Sequence, residues 1–323
     1  MQTGQGQFTY EALVGWEQLP DGWSLGQCPG VAVDSRDRVY VFNRSEHPMI
    51  VFGPDGEFLS SWGEGMFVRP HGLIIGPDDS LYCSDDFDHT VKKCSPEGEL
   101  LMKLGTSGAL SDTGAEGLDY RTIQRAAPPF NYPTSAALAS DGSIYVSDGY
   151  GNARVHKFSP EGDLLLSWGE PGSGPGQFNV PHGIAIDGQD RVYVADRENS
   201  RVQIFTSNGE LLTEWKDVAR PCQVYIDDRE NVFTAELGYK AGLFPGDTAP
   251  SSDPPGGRVS VFNPEGELQA RWGNGDHPDA PGDFYGPHGI CSDSSGDLYV
   301  GEVTPGSSPE NCHVLQKFVR KRS

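Results

Sequence analysis

Apolar residues in this chain come in short runs of three to five, many of them β-branched or alternating with polar ones. Ile50-Val51-Phe52, Val39-Tyr40-Val41 and Val202-Gln203-Ile204-Phe205 are examples. Runs this short, bounded by Gly, Pro, Asp and Asn, predict strands rather than helices. One phrase recurs behind them: Pro54-Asp55-Gly56-Glu57-Phe58, Pro96-Glu97-Gly98-Glu99-Leu100, Pro160-Glu161-Gly162-Asp163-Leu164, Ser207-Asn208-Gly209-Glu210-Leu211 and Pro264-Glu265-Gly266-Glu267-Leu268. Its glycine supplies the positive φ that a tight hairpin needs. A further strand follows, usually closing on Trp-Gly, as at Trp62-Gly63, Trp168-Gly169 and Trp272-Gly273. Upstream of each hairpin stand a proline and a strand pair, such as Ile184-Ala185-Ile186-Asp187 with Arg191-Val192-Tyr193-Val194. Four strands per repeat make one propeller blade.

Blades are therefore expected to start near Pro29, Pro70, Pro133, Pro181, Pro221 and Pro287. The fold class that follows is all-β, a six-bladed β-propeller of four-stranded blades. It forms a single domain over residues 1–323, overruling the two domains that length alone would suggest. The longer intervals hold insertions at 106–131 and 237–257. The sixth repeat has only three strands, the last at 313–318. Residues 8–14 are expected to add the missing outer strand, closing the ring and covering an open sheet edge. A β-sandwich, the rival all-β reading, gives no reason for a phrase that returns at a blade-like interval.

Composition narrows the function. With 42 glycines and 25 prolines the chain of 323 residues is turn-rich, and its net charge is −22. Nucleic acid and anionic membrane both require a positive footprint, so neither is an expected partner. No apolar run approaches the ~20 residues that cross a bilayer. Met1 to Tyr10 has neither a basic nor an apolar leader region, so a cytoplasmic location is expected; a closed ring with a net charge of −22 suggests a monomer. The six cysteines form no C-x-x-C pair and are expected to be mostly buried thiols.

Chemistry enters through histidine. His71, His182 and His288 occur in one phrase, Pro70-His71-Gly72, Pro181-His182-Gly183 and Pro287-His288-Gly289, at two-blade intervals. Alternate blades of a six-fold ring are related by three-fold rotation, so three imidazoles should converge on the axis. Three neutral imidazoles with an open fourth position make a catalytic-type site for Zn2+ or another divalent transition metal. The intervening blades place Gly30, Thr134 and Cys222 at the same position, leaving room for a ligand. A single such histidine would more simply be a polar plug; the alternating trio favours a metal. His47, His89 and His277 fall in predicted loops and are expected to be solvated. Arg44 and Arg197 occupy matching loops after the second strands of blades one and four. Near a metal, such a pair suits a substrate carboxylate. Tyr150, in the corresponding loop of blade three, is a candidate base.

Together these phrases resemble the NHL-repeat propellers, and within them the peptidyl-α-hydroxyglycine α-amidating lyase (peptidylamidoglycolate lyase) family, over residues 26–318. The segment Ser147-Asp148-Gly149-Tyr150-Gly151-Asn152 is similar to the one holding that family's catalytic tyrosine. Phe42-Asn43-Arg44 and Ala195-Asp196-Arg197-Glu198-Asn199 are similar to those of its two active-site arginines. The resemblance implies a three-histidine zinc site and a metal-dependent lyase. Its substrate would be an N-acyl-α-hydroxyglycine, a small molecule or peptide with a carboxylate, cleaved to a primary amide and glyoxylate. It also implies a structural Ca2+ on the main-chain carbonyls of Val31, Leu73 and Gly289. One departure is Gly151, where animal members of the family carry a disulfide-bonded cysteine. The alternatives are a related metal-dependent lyase or hydrolase acting on another carbinolamide or a lactone, and a non-catalytic propeller that serves as a binding scaffold.

Overall fold

The structure, a computed structural model, describes residues 1–242, 249–304 and 312–321. Residues 243–248, inside the second expected insertion, lie outside that description. The fold is an all-β six-bladed propeller: among the described residues there are six antiparallel sheets, five of them consecutive four-stranded meanders and the sixth joining the N-terminal strands to the last blade. The first strands begin at Gly30, Pro70, Pro133, Pro181, Pro221 and Pro287, within one residue of the expected starts. Among the described residues the only helices are two 3-10 turns, Tyr120–Thr122 and Arg197–Asn199, and none is long and apolar enough to cross a membrane.

The hairpin phrase forms for the reason its glycine implies. Gly56, Gly98, Gly162, Gly209 and Gly266 all have φ between 81° and 97°. At the fourth blade Gly209 N–H donates to Thr206 O and Thr206 N–H to Glu210 O. Beyond the turn the strand register slips by one residue between Ile204 and Phe205, leaving Leu212 as the extra residue of a β-bulge. Second strands are buried along their whole length, as at Val192–Asp196, and third strands are mostly buried, fully so at Arg201–Phe205. Outer strands such as Leu211–Trp215 are largely solvent-facing. Central strands covered on both faces are therefore read as continuous apolar runs.

Two compact units make up the chain, Gly65–Ile226 and Met1–Glu64 with Asp227–Ser323. The first contains blades two, three and four and the opening strand of the fifth. Its core lies between blades. Tyr82, Val91 and Leu104 of the second blade pack with Phe130, Ile144 and Val146 of the third. Tyr145 and Val155 of the third pack with Phe178, Ile184, Val192 and Phe205 of the fourth.

The other unit contains blade one, the remaining strands of blade five, and blade six. There the N-terminal strand Phe8–Leu13 pairs with Leu315–Arg320, matching Tyr10 to Arg320 and Ala12 to Phe318. This is the closure expected from the sequence. Two details differ. The last strand starts at Leu315, leaving His313 outside it with Nε2 3.1 Å from Asp279 O. A further strand, Gln2–Gln5, pairs with Phe8–Leu13 and makes this sheet five-stranded. Gly4 and Gly6, at φ 73° and 56°, let the chain reverse there.

Candidate metal centre and its tyrosine

The Pro-His-Gly phrase has a geometric reason. Each histidine opens the first strand of an even-numbered blade, and its Nδ1 meets a carbonyl of a first-strand region on an odd-numbered one. His71 Nδ1 lies 2.7 Å from Thr134 O, His182 Nδ1 2.7 Å from Cys222 O, and His288 Nδ1 2.8 Å from Pro29 O. The glycine that follows makes this approach possible. A Cβ on Gly72 would stand 2.4 Å from Thr134 O, one on Gly183 2.6 Å from Cys222 O, and one on Gly289 2.8 Å from Pro29 O. A carbonyl can only accept, so each Nδ1 carries the proton and each Nε2 presents a lone pair, the tautomer of a metal-ligating histidine. All three rings are buried. His71 and His182 in the unit Gly65–Ile226, and His288 in the other unit, are thus each prepared as a metal ligand.

Within the unit Gly65–Ile226 the structure brings His71, His182, Tyr150 and Arg197 together. The Tyr150 hydroxyl is 3.1 Å from His71 Nε2 and 3.0 Å from His182 Nε2. Arg197 Nη1 donates to the same oxygen at 3.2 Å, with the guanidinium 5.2 Å from the centre of the phenol ring. Tyr150 therefore has one proton to share between two imidazole lone pairs, an arrangement that a cation on those nitrogens would relieve. On that ground the donor set fits a divalent metal.

The Tyr150 loop is pinned from several sides. Gly149 presses against the strand that carries His182: a Cβ there would lie 2.2 Å from Pro181 O. The first insertion braces the other side. Thr113 Oγ1 donates to Gly151 O at 2.6 Å, Gly151 N–H to Asn131 O at 3.0 Å, and Ala127 N–H to Asn152 Oδ1 at 3.3 Å. Asp148, at the end of the second strand, accepts from Asn131 N–H at 2.9 Å and from Asn152 Nδ2 at 2.8 Å.

Arg197 opens the short 3-10 turn after the fourth blade's second strand, and its Nε pairs with Glu198 at 2.7 Å. Arg220 holds the same carboxylate at 2.9 Å. Burial works against the Arg197 charge, but Tyr150, Glu198 and Cys222 more than offset it and hold the group well above its ordinary range. Glu198 and Arg220 are site residues that sequence reasoning missed; an acid beside an arginine carries no signal by itself.

In the other unit, Arg44 Nη1 donates to Gln27 Oε1 at 2.5 Å. It lines a cavity of about 500 Å³ with Trp23, Glu46 and His47. Val31 and Gly289 there are buried first-strand residues paired with Val41 and Gly301; Leu73, in the unit Gly65–Ile226, is a buried first-strand residue paired with Cys83. They offer neutral carbonyls, which suit a hard cation.

The expectation for the remaining histidines is corrected in part. His277 is exposed. His89 is buried, at φ 57°, and its Nδ1 accepts from Tyr132 N–H at 3.1 Å. His47 is half-buried, stacked on Trp23 at 3.3 Å between ring centres and paired with Glu64 at 3.0 Å. A loop position is no guide to exposure where neighbouring loops pack on one another. Five of the six cysteines are buried, Cys312 is half-buried, and all are free thiols.

Residues 130–158 and 178–205 match the family model described as NHL repeat. The chain is thus a six-bladed propeller that carries two segments matching the NHL repeat. It resembles the peptidyl-α-hydroxyglycine α-amidating lyases: it is 28% identical over 268 residues to peptidyl-alpha-hydroxyglycine alpha-amidating lyase 1 of Drosophila melanogaster, covering 77% of this chain and 46% of that protein. It is 32% identical over 337 residues to peptidylglycine alpha-amidating monooxygenase of Rattus norvegicus, covering 92% of this chain and 31% of that one. With human NHL repeat-containing protein 3 it shares 35% identity over 221 residues, 64% of this chain and 60% of the relative. The chain thus spans less than two thirds of each of these proteins. A solved structure titled as a gluconolactonase from Xanthomonas campestris superposes with a TM-score of 0.62 at 13% identity, covering 98% of this chain and 94% of that one; that likeness concerns the fold alone. Two of these relatives are named for lyase and monooxygenase activities.

Proposed function

We propose that the protein is a metal-dependent lyase that cleaves an N-acyl-α-hydroxyglycine into a primary amide and glyoxylate. The observation that carries this reading is the buried Tyr150 hydroxyl, set between Nε2 of His71 and Nε2 of His182 with the Arg197 guanidinium on the same oxygen. The likeness to proteins named amidating lyases supports it.

His71, His182 and His288 would hold the metal through Nε2. A divalent transition metal there supplies a Lewis acid that makes a substrate hydroxyl easier to deprotonate. Tyr150 takes the hydroxyl proton. Arg197 stabilises the charge on the phenol oxygen and, with Arg44, orients the substrate carboxylate in a two-point grip. As the carbon–oxygen double bond of glyoxylate forms, the carbon–nitrogen bond breaks and the proton taken by Tyr150 passes to the departing amide nitrogen. The balance needs neither water nor an electron carrier. A Ca2+ on the carbonyls of Val31, Leu73 and Gly289 would be structural.

The test is metal analysis of the purified protein with a glyoxylate-release assay on an N-acyl-α-hydroxyglycine before and after chelation. Roughly one transition metal per chain, with release abolished by chelation and restored by zinc, is the expected result. Bound metal without glyoxylate release would reject this substrate class, and absence of metal would return the histidines to a structural role.

A further inference from the structure

Beside Tyr150 lies an aromatic surface that the proposed chemistry does not use. Tyr132 stands just ahead of the third blade's first strand at φ 62°, a left-handed conformation that a bulky residue keeps only where its surroundings impose it. Its N–H donates to His89 Nδ1 at 3.1 Å, and the two rings meet edge to face at 4.5 Å. Burial holds His89 below its ordinary range, in keeping with a neutral ring that accepts. The preceding residue, Asn131, is anchored by Ser111 O at 3.1 Å and Thr113 Oγ1 at 2.9 Å.

Gly151 is what lets this aromatic ring come close. A Cβ at position 151 would lie 2.8 Å from the Tyr132 ring and 2.2 Å from Asn131 Oδ1. Tyr132 therefore packs directly on the residue after Tyr150. Phe87 extends the surface outward. Its ring lies 5.6 Å from Tyr132 and carries the Arg69 guanidinium 4.6 Å from its centre, yet it is 42% exposed. Arg69 is itself fixed by Asp86 at 2.9 Å. A phenylalanine left open but braced on two sides offers a rigid π-face at little entropic cost on binding.

We propose that Phe87 and Tyr132 form the wall that receives the acyl group, so that the preferred substrate is an N-acyl-α-hydroxyglycine with an aromatic or bulky apolar acyl group. This rests on the lyase reading above. The reacting carbon must sit at the Tyr150 hydroxyl, and the acyl group begins one amide bond away. Tyr132 is the ring adjoining that loop, and Phe87 continues it toward solvent. His89 is a positioning residue that fixes Tyr132.

The experiment compares glyoxylate release from N-benzoyl- and N-acetyl-α-hydroxyglycine by the metal-loaded protein and by the Phe87→Ala and Tyr132→Leu variants. The unaltered protein should favour the benzoyl substrate in kcat/KM by about tenfold or more, chiefly through KM, and each variant should cut that preference by about fivefold. Equal use of both substrates, or a preference that survives both substitutions, overturns the proposal and leaves the lyase reading intact. No release from either substrate overturns the lyase reading, and this proposal with it. If Tyr132→Leu fails to fold, as circular dichroism would report, the exposed Phe87→Ala alone decides.

Discussion

At Tyr150 one phenol oxygen faces two imidazole nitrogens and a guanidinium, and in the proposed reaction that oxygen receives the substrate's hydroxyl proton. Tyr150→Phe keeps the ring and loses the hydroxyl. Metal content should stay intact while kcat falls by about 10²–10⁴-fold; undiminished turnover would remove Tyr150 as the base. A second residue-scale prediction concerns Glu302. Three other acids that end second strands have a cationic neighbour: Asp85 has Lys92 at 3.0 Å, Asp196 has Arg201 at 2.7 Å and Glu236 has Arg258 at 2.7 Å. Glu302 instead accepts from the Tyr285 and Gly286 N–H groups and the Gln316 amide. Burial pushes its carboxyl from 4.5 up to about 8. The unfolded chain therefore ionises this group first, and stability should fall as pH rises through that window. Glu302→Gln should flatten the difference in urea midpoint between about pH 5 and pH 8 relative to the unaltered protein. The histidine trio was legible in the sequence because a phrase repeats. The carbonyls of Thr134, Cys222 and Pro29 that orient the rings were not, since any residue has a carbonyl, and the burial of His89 arises from loops distant in sequence.

At the scale of elements, the hairpin phrase was the most readable feature because glycine at positive φ has few substitutes. The strand Gln2–Gln5 was unreadable for the opposite reason: it has no apolar alternation and exists only by pairing with Phe8–Leu13. That pairing strand has an apolar face, with Phe8 and Tyr10 buried. Phe8 meets Phe233 edge to face at 5.9 Å, and Tyr10 packs on Trp272 at 5.4 Å. Phe8→Ala should cost about 3–5 kcal/mol, read as a lower urea midpoint. Removing residues 1–14 should uncover the Leu315–Arg320 edge and promote association on sizing chromatography; a truncated protein as stable and monodisperse as the full chain would show that closure contributes little. The 106–131 insertion marked itself only as an interruption of the period. Its hydrogen bonds to Gly151 and Asn152 give it the task of bracing Tyr150, which no local pattern announces.

For the whole molecule, periodicity carried the fold class and charge carries the remaining expectation. A net charge of −22 opposes the approach of any carboxylate substrate, whereas Arg197 acts at short range and is partly neutralised by Glu198. Long-range repulsion between exposed charges is screened by salt over about 10 Å at 0.1 M, while contacts inside a buried site are screened much less. The two effects therefore have opposite salt dependence, and their magnitudes decide the sign. With many surface charges against one buried guanidinium and the half-buried Arg44, repulsion should dominate the encounter. For an anionic N-acyl-α-hydroxyglycine, kcat/KM should rise about two- to fivefold as ionic strength goes from about 10 to 150 mM, with kcat unchanged. A fall over the same range would mean that the arginines set the field at the site entrance and that the distributed negative charge is too remote to matter.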